Sequence, residues 1–133
     1  MKTYVFACIH NAGRSQMAAA FFNAAVDPRK ARAVSAGTNP GTRVHPEVVA
    51  AMREEGIDLE GATPRILTDD LARRASMLVT MGCGEACPAV PGVRRQDWPL
   101  ADPKGKPVQE VRRIRDDVRA RVQALVDGEG LGR

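Results

Sequence analysis

The apolar run Tyr4-Val5-Phe6-Ala7 delivers Cys8 to a loop of five residues, Ile9 to Gly13, that closes on Arg14 and Ser15. From Ser15 the run Gln16-Met17-Ala18-Ala19-Ala20-Phe21-Phe22-Asn23-Ala24-Ala25 has strong helix propensity, and Asp27-Pro28 stops it. A strand, a short loop and a helix in immediate succession constrain this chain more than any bulk property. The helix must fold back across the strand, and a crossover of that length returns the next strand in parallel.

The alternation continues downstream. The first strand covers Thr3 to Cys8, and Ala31 to Ala36 reads as a second strand closed by Gly37 and the turn-rich Thr38-Asn39-Pro40-Gly41. Pro46 opens a helix to Glu55 with Val48, Val49 and Met52 on its apolar side and Gly56 as C-cap. Thr68 is an N-cap candidate before Asp69-Asp70-Leu71-Ala72-Arg73-Arg74, and Met77 to Met81 is the continuous apolar run of a strand buried on both faces. An edge strand is expected within Val93 to Leu100. From Val108 a helix places Val111, Ile114, Val118, Val122 and Leu125 on one stripe, with Arg and Asp on the other faces. The expected fold is an α/β three-layer sandwich with a mainly parallel sheet, formed by residues 1–133 as a single domain.

Composition bounds the partners. Of the 20 Lys and Arg, sixteen are Arg, set against 16 Asp and Glu for a net charge of +4. Lys104 to Arg121 carries seven bases and three acids, so the excess is local. Acids and apolar residues interrupt it, and five aromatics in the chain offer little base stacking, so a solvated helix face is expected, with a protein-docking surface as the alternative, and no nucleic acid. No apolar run approaches a bilayer span, and Met1-Lys2-Thr3 leads straight into the first strand without an apolar leader; the expectation is a cytoplasmic monomer with no membrane partner. Three cysteines, Cys8, Cys83 and Cys87, are then thiols held reduced rather than a disulfide framework.

Cys8, Cys83 and Asp102 all fall beyond the carboxyl ends of strands, where reactive groups collect in parallel sheets. Ile9, His10, Asn11, Ala12, Gly13, Arg14 and Ser15 can curl so that backbone N–H groups and a helix N-terminus point at one centre, an anion cradle. Arg14 adds a planar fork matched to a tetrahedral oxyanion, and the same positive field favours the nucleophilic thiolate of Cys8. Ser15 is placed to donate to that thiolate, while Asn11 and Gly13 are expected to take the left-handed backbone angles of a tight loop. His10 reads as a loop-wall residue, since a formed thiolate needs no base; His45 reads as a helix-start residue. Asp102, on the turn Asp102-Pro103-Lys104-Gly105, can hand a proton to a departing oxygen.

Four segments carry a family resemblance: Cys8-Ile9-His10-Asn11-Ala12-Gly13-Arg14-Ser15-Gln16-Met17-Ala18, Ser35-Ala36-Gly37, Thr80-Met81-Gly82-Cys83-Gly84-Glu85-Ala86-Cys87-Pro88, and Asp97-Trp98-Pro99-Leu100-Ala101-Asp102-Pro103-Lys104-Gly105. In this order they resemble the arsenate reductases built on the low-molecular-weight protein tyrosine phosphatase fold. The resemblance implies that Cys8 attacks arsenate, Arg14 holds its oxygens, Asp102 protonates the leaving oxygen, and Cys83 and Cys87 collect the electrons as Cys8-Cys83 and then Cys83-Cys87 disulfides. It implies thioredoxin as reductant, with no bound cofactor or metal, and phosphate or sulfate as competing oxyanions. Three residues separate Cys83 from Cys87, a spacing that leaves mycothiol or another small thiol open as reductant. Some members bind potassium beside the loop; here Asn11 and Ser35 are kept, but Ala19 and Arg65 stand where carboxylates are needed, and Arg65 offers a fixed charge instead. Three other readings compete. A tyrosine phosphatase would share Cys8, Arg14 and Asp102 without needing Cys83 or Cys87. A zinc module of Cys8, Cys83, Cys87 and His10 would set its cation against Arg14. The third is a regulatory binder of arsenate or phosphate.

Overall fold

In the computed structural model, which describes residues 1–82, 87 and 90–133, Lys2–Cys8 forms strand β1 at the centre of the sheet. Its side chains alternate between two faces, as strand geometry requires. Tyr4, Phe6 and Cys8 enter one core cluster, and Val5 and Ala7 enter the other. The remaining elements are α1 (Arg14–Ala25), β2 (Ala31–Gly37), α2 (Pro46–Arg53), α3 (Asp69–Arg74), β3 (Met77–Thr80), β4 (Arg94–Asp97) and α4 (Val108–Gly128). The sheet runs β2-β1-β3-β4 with every pairing parallel. Helices α1, α2 and α4 cover the Tyr4-Phe6 face, and α3 lies over the Val5-Ala7 face, giving the three layers.

The larger core is built on aromatic contacts. Phe22 of α1 meets Tyr4 with ring centroids 4.9 Å apart, and Phe6 contacts both Phe22 and Trp98 at 5.7 Å. Along α4 the stripe Val111, Ile114, Val118, Val122 and Leu125 is buried as its spacing predicts. Arg115 departs from that pattern: it is buried, and its guanidinium holds the Ala51 carbonyl and Glu54 at the end of α2. The arginines of the basic stretch pair internally, Arg112 with Glu54, Arg113 with Glu110, Arg119 with Glu55 and Arg121 with Asp117. Thr68 caps α3 by accepting from the Leu71 N–H, and Gly56 follows α2 with φ +75°. Among the described residues no helix is long and apolar enough to cross a membrane.

Strand order places β1 beside β3, with the β1 crossover and the β3 crossover running to different neighbours. The crevice beyond the carboxyl ends of such a strand pair is where doubly wound sheets bind ligands. Cys8 ends β1 there, and Met81-Gly82 leaves β3 there.

Candidate active site

Cys8 is a free thiol, 2% exposed, at the last residue of β1. Backbone bonds pin the loop after it: the N–H groups of Thr38, Asn39 and Gly41 donate to the carbonyls of Cys8, Ile9 and His10, and His45 donates to that of Ala12. With those carbonyls tied outward, the loop is locked to the segment after β2. Gly37 sits in register with Cys8, and a Cβ on it would come to 2.5 Å from the Ile9 carbonyl, so the close approach of β2 to the loop requires glycine.

The loop interior is a polar chain ending at sulfur. Asn11, fully buried, has φ +51°, the left-handed angle expected of it. Its Oδ1 accepts from the Arg65 N–H at 3.0 Å and from the Gln16 side chain at 3.2 Å, which turns its Nδ2 toward Ser15 Oγ at 2.7 Å. The Ser15 hydroxyl lies 2.9 Å from Cys8 Sγ and, having accepted from Asn11, is free to donate its proton to a thiolate. Gln16 also reaches the Asn11 carbonyl at 3.1 Å. Sequence reading gave Gln16 and Thr63 no role of their own and Arg65 only a side-chain one, because these contacts join distant parts of the chain. Arg65 itself is exposed and reaches Asn11 through its backbone N–H.

Gly13 corrects a second expectation. Its φ is −145°, not left-handed. Its missing side chain matters for space, because a Cβ there would lie 2.9 Å from Pro103 Cγ. The Asp102-Pro103 turn therefore rests directly on the loop. Arg14, the first residue of α1, is 7% exposed; its Nη1 donates to the Leu100 carbonyl at 3.0 Å and its Nη2 lies 3.9 Å from Asp102 Oδ2. Asp102 is half exposed and its Oδ1 accepts from the Lys104 N–H, an Asx turn that holds the carboxylate at the site's rim. The turn is carried by β4: Asp97 accepts from Thr80 of β3, the Trp98 N–H donates to the Thr80 carbonyl, and Trp98 is buried against Phe6. That hydroxyl, followed by Arg95, holds the Asp97 carboxyl below its ordinary range.

His10 Nδ1 lies 2.9 Å from the Asn39 carbonyl oxygen. A carbonyl only accepts, so Nδ1 carries the proton. Cys87 is buried in the second core cluster with Leu78. Cys83 lies outside the described residues. Among the described residues no group of three or more His, Cys, Asp or Glu side chains could hold a metal. A buried thiol, a fixed guanidinium at a helix N-terminus and a carboxyl group at the rim make a site that can bind a tetrahedral oxyanion, attack its centre and pass a proton to what leaves.

Comparison with known proteins finds similar chains and similar structures. The family model described as low molecular weight phosphotyrosine protein phosphatase matches residues 3–133. A relative from Halobacterium salinarum is 40% identical over 126 residues, covering 92% of this chain and 89% of its own. An arsenate reductase of Brevibacillus brevis is 35% identical over 130 residues, 95% of each chain. The structure of a thioredoxin-dependent arsenate reductase of Corynebacterium glutamicum superposes with a TM-score of 0.83 at 34% identity; the match covers 96% of this chain and 61% of that one.

Proposed function

The chain belongs to the low molecular weight phosphotyrosine protein phosphatase family, among its arsenate-reductase-like members, and from that premise we propose that it reduces arsenate to arsenite. The observation that carries the reading is the joining of Cys8, Ser15 and Arg14 in one locked loop, with Asp102 at its rim and two further cysteines in the segment after β3.

In the first step the Cys8 thiolate attacks arsenic, Arg14 and the loop N–H groups hold the arsenate oxygens, and Asp102 gives its proton to the oxygen that leaves as water. Cys83 then attacks the Cys8 sulfur. The sulfur–arsenic electron pair goes to arsenic, which leaves as arsenite, and a Cys8-Cys83 disulfide remains. Cys87 attacks Cys83, frees Cys8 as thiolate and leaves a Cys83-Cys87 disulfide for an external dithiol to reduce. Thioredoxin is the proposed reductant, in line with the Corynebacterium glutamicum relative.

The first step, with phosphorus in place of arsenic, is also that of a phosphatase, and the family model favours keeping that second reading. Arsenite formation and aryl phosphate hydrolysis measured side by side, with thioredoxin or mycothiol systems as reductant, separate the two. Arsenite formation that depends on a thiol system supports reduction and identifies the reductant; turnover of aryl phosphate without arsenite formation refutes it.

A further inference from the structure

Gly82 is the first residue beyond Met81 at the end of β3, with φ +86°. A Cβ on Gly82 would overlap Nη1 of Arg14, and would lie 3.2 Å from Cζ and 3.5 Å from Nη2. All three atoms belong to one rigid planar group, so the guanidinium lies against the bare Cα. Nη1 is also the atom that donates to the Leu100 carbonyl. Gly82 and Leu100 therefore fix the same end of the fork from two sides, and the other end is left toward Asp102.

We infer that Gly82 is a positioning residue for oxyanion binding: its missing side chain is the seat on which Arg14 lies, and any L-side chain there turns the fork away from the substrate. This rests on the oxyanion reading of the loop. The displaced group is the far end of a flexible side chain, so a substitution is accommodated by Arg14 moving rather than by the backbone. The lost contact then acts on anion grip, while the strain of the positive φ is a separate cost to folding. Rotating a planar fork breaks the bond to Leu100 and spoils a two-pronged match to an oxyanion together.

Gly92 supplies an internal control. Its φ is +84°, and nothing lies within 4 Å of a Cβ built on it. G92A therefore carries the same backbone strain as G82A without touching Arg14. The probe is inorganic phosphate, and the readout is its protection of the Cys8 peptide from iodoacetamide in fully reduced protein, followed by mass spectrometry. G82A should bind phosphate roughly tenfold to a hundredfold more weakly than G92A, the range for one charge-assisted hydrogen bond. In an R14K background, where the fork is already gone, adding G82A should change affinity no more than adding G92A does.

Equal phosphate affinity in G82A and G92A, with wild-type protection intact, overturns the role of Gly82 and leaves the oxyanion reading standing. No phosphate protection in the wild-type protein refutes that reading, and this inference with it. Should G82A prove too unstable to assay, R14A/G82A reads the same contact. Removing the fork should return the melting temperature to that of R14A/G92A, and a double variant no more stable than G82A overturns the inference.

Discussion

Replacing Ser15 by alanine removes the middle of the chain Asn11–Ser15–Cys8, and two separable effects follow from the geometry. Asn11 is fully buried, and its Nδ2 donates to Ser15 Oγ at 2.7 Å; with that acceptor deleted and no route for water, the orphaned donor costs about 1–3 kcal/mol. Alanine's better helix propensity near the start of α1 offsets up to about 0.5 kcal/mol of it. The net loss should lower the melting temperature by roughly 4 °C per kcal/mol for a chain of this size. The second effect is kinetic. A hydroxyl donating to the Cys8 thiolate at 2.9 Å is a bond to a charged group, worth about 1.5–3 kcal/mol, so its loss should slow attack by Cys8 roughly tenfold or more. Urea denaturation of reduced protein measures the first effect, and peptide-resolved alkylation of Cys8 at fixed pH measures the second. A variant whose stability and Cys8 reactivity both match wild type would refute the polar chain as the support of the nucleophile.

Asp102→Asn should keep phosphate protection of Cys8 while slowing the first turnover by roughly a hundredfold, the scale of a lost general acid; rapid-quench detection of the first arsenite checks it, and a normal rate removes Asp102 from the mechanism. Cys87→Ser should release about one arsenite per chain and stall as a Cys8-Cys83 disulfide; peptide mapping that finds a Cys8-Cys87 link in wild-type protein after one turnover reverses the proposed order. Glu129, bonded to Arg94 and then Tyr4, is held down to about 2 from an ordinary 4.5. Its contribution to stability is present above pH 4.5 and lost as pH falls toward 2, so Glu129→Gln should flatten the pH dependence of the melting temperature in that window. Burial and the bond to Glu129 push Tyr4 up to about 12 from an ordinary 10.0. The neutral phenol is favoured in the folded state, so this stability is present below pH 10 and lost as pH rises through 12, and Tyr4→Phe should flatten the alkaline limb.

Local pattern made much of this molecule legible. The Cys8-to-Ser15 loop could be read because its residues are consecutive and their chemistry converges on one centre. The α4 stripe was legible because its period alone decides which side chains are buried. What stayed hidden depends on contacts between segments far apart in sequence. Gly13 looks like a turn glycine until Pro103 is seen resting on it. Gly82 carries no local signal that separates it from any glycine after a strand; only the position of Arg14, sixty-eight residues earlier, gives it meaning. Arg115 follows the polar pattern of α4 yet is buried, because Glu54, Glu55 and the Ala51 carbonyl at the end of α2 receive it. Gln16 reads as an ordinary helix former, and its amide is engaged by a loop around Thr63 and by the left-handed turn at Asn11.

The central claim is that Cys8 and two further thiols move two electrons onto arsenic, and a single turnover tests it most directly. Fully reduced protein, freed of small thiols, is mixed with excess arsenate and no external reductant, and arsenite is counted against protein. The account predicts about one arsenite per chain, accompanied by loss of two thiols and abolished in Cys8→Ser. Arsenate left unreduced by protein that still binds it, with all three thiols intact afterwards, would contradict it.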